Sequence, residues 1–582
     1  MEKKYYTVER NVQIVIALLK AHGIKRVIAS PGTTNMTFIG SIQQDPWFEI
    51  YSSVDERSAA YLACGLAAET KEPVVISCTG ATASRNYMPG LTEAYYRKLP
   101  VLAITSHRGE HQIGHLLDQQ IDRRTIPNDI AMESVTVPMA KNQKDERFCE
   151  IEASKAILAL RFNGGGPAHI NLYTEYNRDF SVKELPSCHV IRRYTIFDSL
   201  PELPKGKRIG ISLGSHHNFS VAETEAIDHF CESNNAAVFC DHTSGYMGRY
   251  KVFFHLLCCQ IRYHSQLAQL DLMIQIGEVS GTYHVNAKEV WRVSEDGALR
   301  DTYGALTNVF AMPEVAFFKY YTQKGAHQDD FLNECKAEYK KALSQIPELP
   351  FGNAWIAQQT LPQMPKGCEI HMGIFNSLRS WSFFEWPEGI LGKCNVGGFG
   401  IDGAISTAVG ASLANPHKLI YCILGDLAFF YDMNVCGNRH VGNNIRILLV
   451  NNSRGSEFRL YGHPCSAFGD DADHYMAAAG HYGQQSPTLV KSYAESLGYE
   501  YLSASSKEEY FEAMKRFVTP EVTDKPMILE VFTETQDESD ALEIIQNSCY
   551  DAKQAATGKI KQVVHSIVGE TGTKVIKSIL GK

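Results

Sequence analysis

The sequence predicts an α/β fold built from three doubly wound parallel-sheet domains. Short β-branched apolar runs alternate with helix-length segments, the β-α-β rhythm of a parallel sheet. That rhythm returns three times, over residues 1–185, 205–345 and 351–545. At 582 residues the chain is also too long for one hydrophobic core.

In the first block Arg26–Ser30, Val74–Thr79 and Val101–Thr105 are strand candidates, with Ala81–Lys98 as the intervening helix. The charged, proline-containing stretch Lys183–Pro204 reads as a linker. The second block repeats the pattern with Arg208–Ser212, Ala237–Cys240 and Leu272–Gly277 as strands and Ala222–Asn234 as a helix. Pro347-Glu348-Leu349-Pro350 marks the next boundary, and Leu419–Leu424, Arg446–Val450 and Met527–Phe532 are the clearest strands of the third block. The tail, 546–582, differs: from Lys553 onward it carries six lysines against Glu570 alone, with Val563, Val564, Ile567 and Val568 at helical spacing. Such a basic amphipathic tail suits a helix packed on its own domain or a sister subunit, or one that touches a membrane surface or partner.

Composition excludes several classes. A net charge of −9 implies no broad basic surface, which argues against nucleic-acid binding. No run approaches the ~18 apolar residues of a membrane span, and the start Met1–Tyr6 leads into no secretory apolar core. The 15 cysteines are scattered without a Cys-x-x-Cys pair, as in a reduced cytoplasmic enzyme.

Two short segments carry chemistry. Gly425-Asp426-Leu427 follows one strand candidate, and Asn451-Asn452 follows the next, one right-handed crossover later. Asp426 and Asn452 therefore sit at the carboxyl ends of neighbouring parallel strands, where open α/β sheets bind ligands. A carboxylate, an amide oxygen and a backbone carbonyl near Arg454 suit Mg²⁺, which takes oxygen ligands and keeps substrate phosphates in its shell. The second segment, Asp55-Glu56-Arg57, opens an Ala-rich helical stretch and offers a carboxylate to a heterocycle nitrogen. Thiamine diphosphate needs both services. Each match alone is common: turns after strands are rich in Asp and Asn, and an acid in a first helical turn simply suits the helix dipole.

With Ser30-Pro31-Gly32, Asp55-Glu56-Arg57-Ser58, Cys78-Thr79, Asn376-Ser377-Leu378, Gly400-Ile401-Asp402-Gly403 and Gly425 through Asp432 in collinear order, the chain resembles the thiamine diphosphate enzymes of the acetohydroxyacid synthase and pyruvate decarboxylase superfamily. Within it the chain looks most like the menaquinone-pathway synthase that joins decarboxylated 2-oxoglutarate to isochorismate. The resemblance implies that 1–185 binds the cofactor's pyrimidine, that 205–345 is a central domain, and that 351–545 binds the diphosphate and Mg²⁺. It implies a cofactor cradle of Ser30, Pro31, Gly32, Glu56, Thr79, Asn86, Asn376, Ser377, Ile401, Gly425, Asp426, Leu427 and Asn452, with Asp426, Asn452 and Arg454 at the metal. Glu56 is implied to bond the pyrimidine, and Ile401 to hold the cofactor folded. FAD is not expected. The family places its cofactor between two chains, so a homodimer or homotetramer is implied.

The departures matter as much. The menaquinone synthase spreads arginines through its substrate site, and at the matching positions this chain has Thr34, Tyr283, Trp381 and Val396. Arginine is the residue suited to bidentate carboxylate binding, so the loss argues against isochorismate. Arg108 and Gln119 keep family positions that face substrate. His107, His111, His115, Gln119 and Glu457 are candidates for proton transfer, although incidental histidines in a surface loop explain the first three as readily. The expected activity is decarboxylation of a small-molecule 2-oxo acid and transfer of the acyl unit to a carbonyl acceptor, with simple release of an aldehyde as the alternative. A non-catalytic binding protein on the same fold is the rival of another class. Retention of Glu56, Asp426 and Asn452 together argues against it.

Overall fold

The computed structural model describes residues 4–281, 285–323, 325, 327–480 and 486–550. The basic tail from residue 551 onward, and Tyr283, lie outside the described residues. Three parallel sheets alternate with helices, as the strand spacing predicts. The chain divides into two compact units, one reaching to Leu200 and adding Glu289–Met312, the other comprising Pro201–Lys288 and the chain from Pro313.

The first unit carries β1 (Arg26–Ala29), β2 (Glu49–Ser52), β3 (Val74–Cys78), β4 (Val101–His107), β5 (Glu133–Val137) and β6 (Ala168–Tyr173) in the order β2-β1-β3-β4-β6-β5. Its central strands are apolar on both faces because helices cover both. Val27, Val75, Leu102 and Ile104 pack towards the helices Arg10–Ala21 and Gln143–Ala159. The alternate residues Ile28, Ile76, Val101 and Ala103 pack towards Glu56–Thr70 and Met88–Tyr96. The helix expected over Ala81–Lys98 is two helices, Thr82–Asn86 and Met88–Tyr96. Pro89 is the reason, since its ring removes an N–H and crowds the preceding turn. The stretch read as a linker, Lys183–Pro204, holds a strand, Arg192–Thr195, paired in parallel with Leu306–Ala311. Its charged residues mark it as an edge strand rather than a core one.

The second unit pairs Ile209–Leu213 with Ala237–Cys240 and Gln269–Ile276, all parallel. Its other sheet holds β7 (Glu369–Met372), β8 (Leu391–Cys394), β9 (Ile420–Gly425), β10 (Ile445–Asn451), β11 (Glu500–Ala504) and β12 (Met527–Phe532). The order is β8-β7-β9-β10-β12-β11. Counted from its first strand, this sheet has the same topology as the β1–β6 sheet. In each, the connection from the first strand leaves in one direction and that from the third in the other. The carboxyl ends of β1 and β3, and of β7 and β9, therefore open a crevice. Among the described residues no helix is long and apolar enough to cross a membrane.

The helix that starts at Glu56 lies close against its neighbour. Ala59, Ala60, Ala63 and Ala67 are buried, and a Cβ placed on Gly90 would come within 2.4 Å of the Ala60 Cβ and 2.9 Å of its backbone carbon. Small residues thus set the depth of this helix. Gly90→Val is expected to destabilise the protein by about 1–3 kcal/mol through overpacking, read as a lower midpoint in denaturant unfolding.

Candidate active site

In the second unit the site is built at the ends of β9 and β10, which run in register with Gly425 opposite Val450. Asp426 starts the helix Asp426–Asp432 and is 1% exposed. Asn451 ends β10, and its amide donates to Glu530 Oε1 at 2.8 Å. The next residue, Asn452, is also buried. Its Nδ2 donates to Ser456 Oγ at 3.2 Å, and its carbonyl accepts from Thr535 Oγ1 at 3.2 Å. Its Oδ1 is buried with no hydrogen-bond partner among the described residues. A buried acceptor without a donor is costly, and a cation satisfies it. Ser453 takes the left-handed conformation, with φ of 69°, which turns the chain back over the strand end. The Arg454 carbonyl accepts from the Ser456 N–H at 2.8 Å, and its guanidinium pairs with Asp473 at 2.7 Å. Leu427 spaces this loop, its methyl lying 3.3 Å from where a Cβ on Gly455 would be. A buried carboxylate, an amide oxygen and a loop carbonyl form an all-oxygen donor set that fits Mg²⁺.

Across the same crevice, β7 leads through Phe375 to Asn376, the first residue of the helix Asn376–Ser382. Phe375 has φ of 65°, a strained position for a residue with a side chain. Asn376 Nδ2 donates to Glu538 Oε2 at 3.1 Å, while its Oδ1 accepts from Ser380. Ser377 is buried in the first turn. Glu538 also accepts from the Asn353 N–H and from Thr533 Oγ1, each at 3.0 Å. Burial raises its pKa against these donors. The sequence reading missed Glu538. A signal for it existed: it shares the stripe Ala541, Leu542 and Ile545, where a solvated acid has no place. Ile401 sits in the loop before the helix Ala404–Ala414, half-buried on the apolar core.

The first unit presents its crevice at the ends of β1 and β3. Ser30 is buried, Pro31 and Gly32 are exposed, and a Cβ on Gly32 would fall 1.8 Å from Thr79 Cγ2. Only glycine permits that approach. Asp55 caps the next helix by accepting from the Ser58 N–H at 3.0 Å. This sets Glu56 in the first turn, where Asn86 Nδ2 donates to its Oε2 at 3.1 Å. Next to them the Cys78 thiol is pushed up to about 12, chiefly by burial, and is chemically quiet.

The proton-transfer candidates of the first unit differ in setting. His107 ends β4, is buried, and accepts the Gly109 N–H at Nδ1 at 2.8 Å. Burial first, then Arg123 and His111, lower its pKa to about 4, so near neutral pH it is an uncharged imidazole with its proton on Nε2. His111 bonds the Tyr173 hydroxyl at 3.1 Å, whereas His115 and Gln119 are exposed in the following loop. Arg108 is bonded to the Asp118 carbonyl and lies 3.6 Å from that residue's carboxylate. In the second unit Glu457 forms an ion pair with Arg379. At the positions that depart from the menaquinone synthase, Thr34 is buried on Ser106 Oγ at 2.6 Å and Val396 is buried. Trp381 is 0% exposed, with Nε1 donating to Asn353 Oδ1 at 3.3 Å.

Two family models match the chain in order. Residues 10–126 match the thiamine pyrophosphate enzyme N-terminal TPP binding domain, and 379–531 the C-terminal TPP binding domain. Similar proteins include three named 2-succinyl-5-enolpyruvyl-6-hydroxy-3-cyclohexene-1-carboxylate synthase. That of Bacteroides fragilis is 30% identical, over 91% of this chain and 97% of its own length. That of Bacteroides thetaiotaomicron is 29% identical over 91% and 96%, and that of Desulfotalea psychrophila 28% over 88% and 96%. The chain belongs to the thiamine pyrophosphate enzyme family.

Glu538 connects this family site to its own packing. Glu538→Gln places an amide N–H₂ where donors converge, and should lower stability by about 1–3 kcal/mol. Because Asn376 loses its anchor, thiamine diphosphate affinity should fall as well, measured by isothermal titration in excess Mg²⁺. Unchanged affinity would mean that Asn376 is not part of the cofactor cradle.

Proposed function

We propose that this member of the thiamine pyrophosphate enzymes is an Mg²⁺-dependent carboligase that decarboxylates a small 2-oxo acid and passes the acyl unit to a carbonyl acceptor other than isochorismate. The observation that carries the metal-dependent reading is the orphaned, buried Asn452 Oδ1 beside buried Asp426. Asp426, Asn452 and the Arg454 carbonyl would hold the cation. Ser377 and Asn376, the latter oriented by Glu538, would face the diphosphate. Ser30, Pro31, Gly32, Thr79 and Asn86 would frame the pyrimidine, and Ile401 would support the folded cofactor. Bound thiamine diphosphate would supply a nucleophilic carbon and an electron sink for decarboxylation of the 2-oxo acid.

The protein's part is orientation and proton handling. Glu56, steadied by Asn86, would hold a proton at a pyrimidine nitrogen. His107 can donate through Nε2 as a neutral imidazole, and Gln119 and Arg108 would contact substrate. Glu457 is a proton-transfer candidate only after its pairing with Arg379 loosens. The acceptor follows from charge. Arg108 is compensated by Asp118 and Arg379 by Glu457, while Thr34, Trp381 and Val396 are neutral and buried. A dicarboxylate would forgo charge-assisted bonds worth about 1.5–3 kcal/mol each. A neutral aldehyde or ketone fits better. We place the enzyme in the cytoplasm as a homodimer or homotetramer. Support for the first comes from its free cysteines, and for the second from the closed symmetry usual among soluble enzymes.

Glu56→Gln is expected to keep cofactor binding but to slow exchange of the cofactor's C2 proton by several orders of magnitude, followed by NMR. Wild-type exchange in this variant would make Glu56 an ordinary helix-start acid. Asp426→Ala should abolish the rise in melting temperature that thiamine diphosphate gives with Mg²⁺. For the substrate, pyruvate with neutral aldehydes should release CO₂ and yield a product of summed carbon skeleton. Efficient turnover of 2-oxoglutarate with isochorismate would overturn the acceptor assignment, and free aldehyde as the sole product would favour simple decarboxylation.

A further inference from the structure

The first unit holds a second cavity at the opposite, amino-terminal edge of its sheet. Ile24 and Pro73, which lie just before β1 and β3, form an apolar wall with Ile157. His22, Arg161, Arg192 and Arg193 line the remainder. The space measures about 340 Å³, within the range of small-ligand sites. Extended chain from Ile24 to Ser30 puts it ~20 Å from the crevice residues.

Arg193 has the carboxylates of Glu133 and Asp296 in its neighbourhood, but the other two guanidinium groups, those of Arg161 and Arg192, make no ion pair and no side-chain hydrogen bond among the described residues. Arg193 lies 4.1 Å from the Phe162 ring centroid, and its Nη1 donates to the Leu158 carbonyl at 3.5 Å. Its Nε is buried without an acceptor, and so is His22 Nε2 without a partner. The one carboxylate among the lining residues, Asp198, is turned to Thr195, accepting from its N–H and Oγ1 at 2.7 Å each. Burial and the neighbouring Arg192 and Arg161 lower the His22 pKa to about 4, in keeping with a cavity already rich in positive charge. Arg161 and Arg192 are exposed at the mouth and Arg193 is half-buried behind them, so an anion entering the space would meet two unpaired guanidinium groups and the buried Arg193 Nε.

We propose that this cavity binds a small organic anion, a metabolite with a phosphate or carboxylate group held by Arg161, Arg192 and Arg193 and an apolar part resting on Ile24, Pro73 and Ile157. The site is separate from the crevice, so its ligand is an effector rather than a substrate. The inference stands on the first unit alone and does not depend on which acceptor the enzyme uses.

The test uses the full chain loaded with thiamine diphosphate and Mg²⁺. Inorganic phosphate, a nucleoside monophosphate and benzoate are titrated separately by calorimetry and by thermal shift. At least one organic anion should bind and raise the melting temperature, and comparison of the two organic arms identifies the preferred head group. Arg161→Gln with Arg192→Gln should weaken that binding more than tenfold while the shift given by thiamine diphosphate stays intact, which also shows that the variant folds. Absence of binding by both organic anions, or an affinity that survives the double substitution, would overturn the proposal. A response to inorganic phosphate alone would overturn it too, as general charge screening.

Discussion

Two oxygen-bearing side chains buried at the ends of adjacent parallel strands set the terms for the second unit. Removing the Asp426 carboxylate and Asn452 Oδ1 from water is unfavourable, and Asn452 Oδ1 is left without a donor among the described residues. An unsatisfied buried acceptor costs about 1–3 kcal/mol. The surrounding structure keeps them in place regardless. Thr535 holds the Asn452 carbonyl, Ser456 its amide nitrogen, and Leu427 packs under the loop at Gly455. Glu538, on the same helix as Thr535, fixes Asn376. One helix thereby orients both sides of the crevice between β7 and β9. This is preorganisation: the protein supplies geometry before any ligand binds.

The two sheets that carry site residues share one topology, and each opens at the same pair of strands. Similar backbones serve different chemistry because the residues at the strand ends differ. After β1 and β3 stand Ser30-Pro31-Gly32 and Thr79, small groups that allow a flat ring to approach. After β9 and β10 stand a carboxylate and an amide suited to a hard cation. The fold places the crevices, and side chains at the strand ends decide what each can hold.

Much of this was legible in the sequence. Apolar β-branched runs mark strands buried on both faces, so Ala237–Cys240 and Met527–Phe532 coincide with the observed strands. Asp426 and Asn452 were placed correctly at neighbouring strand ends because one crossover fits between them. Three features were hidden. The strand Arg192–Thr195 is charged and lies at an edge, which makes it look like a linker. The break at Tyr87 between two helices depends on Pro89, a single residue inside an otherwise helix-length run. The ion pair of Arg379 with Glu457 joins residues far apart in the chain, and no local pattern reports such a contact. Glu538 lies on a visible apolar stripe, but its partners Asn353 and Asn376 are remote in sequence, so its role shows only in the fold.

The charge pattern also bears on substrate choice. Near the strand ends Arg108 is answered by Asp118 and Arg379 by Glu457, whereas Arg161 and Arg192, at the amino-terminal side of the first sheet, have no ion-pair partner among the described residues. A crystal structure with thiamine diphosphate and Mn²⁺ in place of Mg²⁺ tests this oxygen site directly through the anomalous signal of the metal. One peak is expected with Asp426 and Asn452 Oδ1 at about 2.0–2.2 Å, close to the distances of an octahedral oxygen site. Cofactor bound with the metal elsewhere, or with Asn452 Oδ1 turned away from it, would mean that these two side chains do not form the metal site.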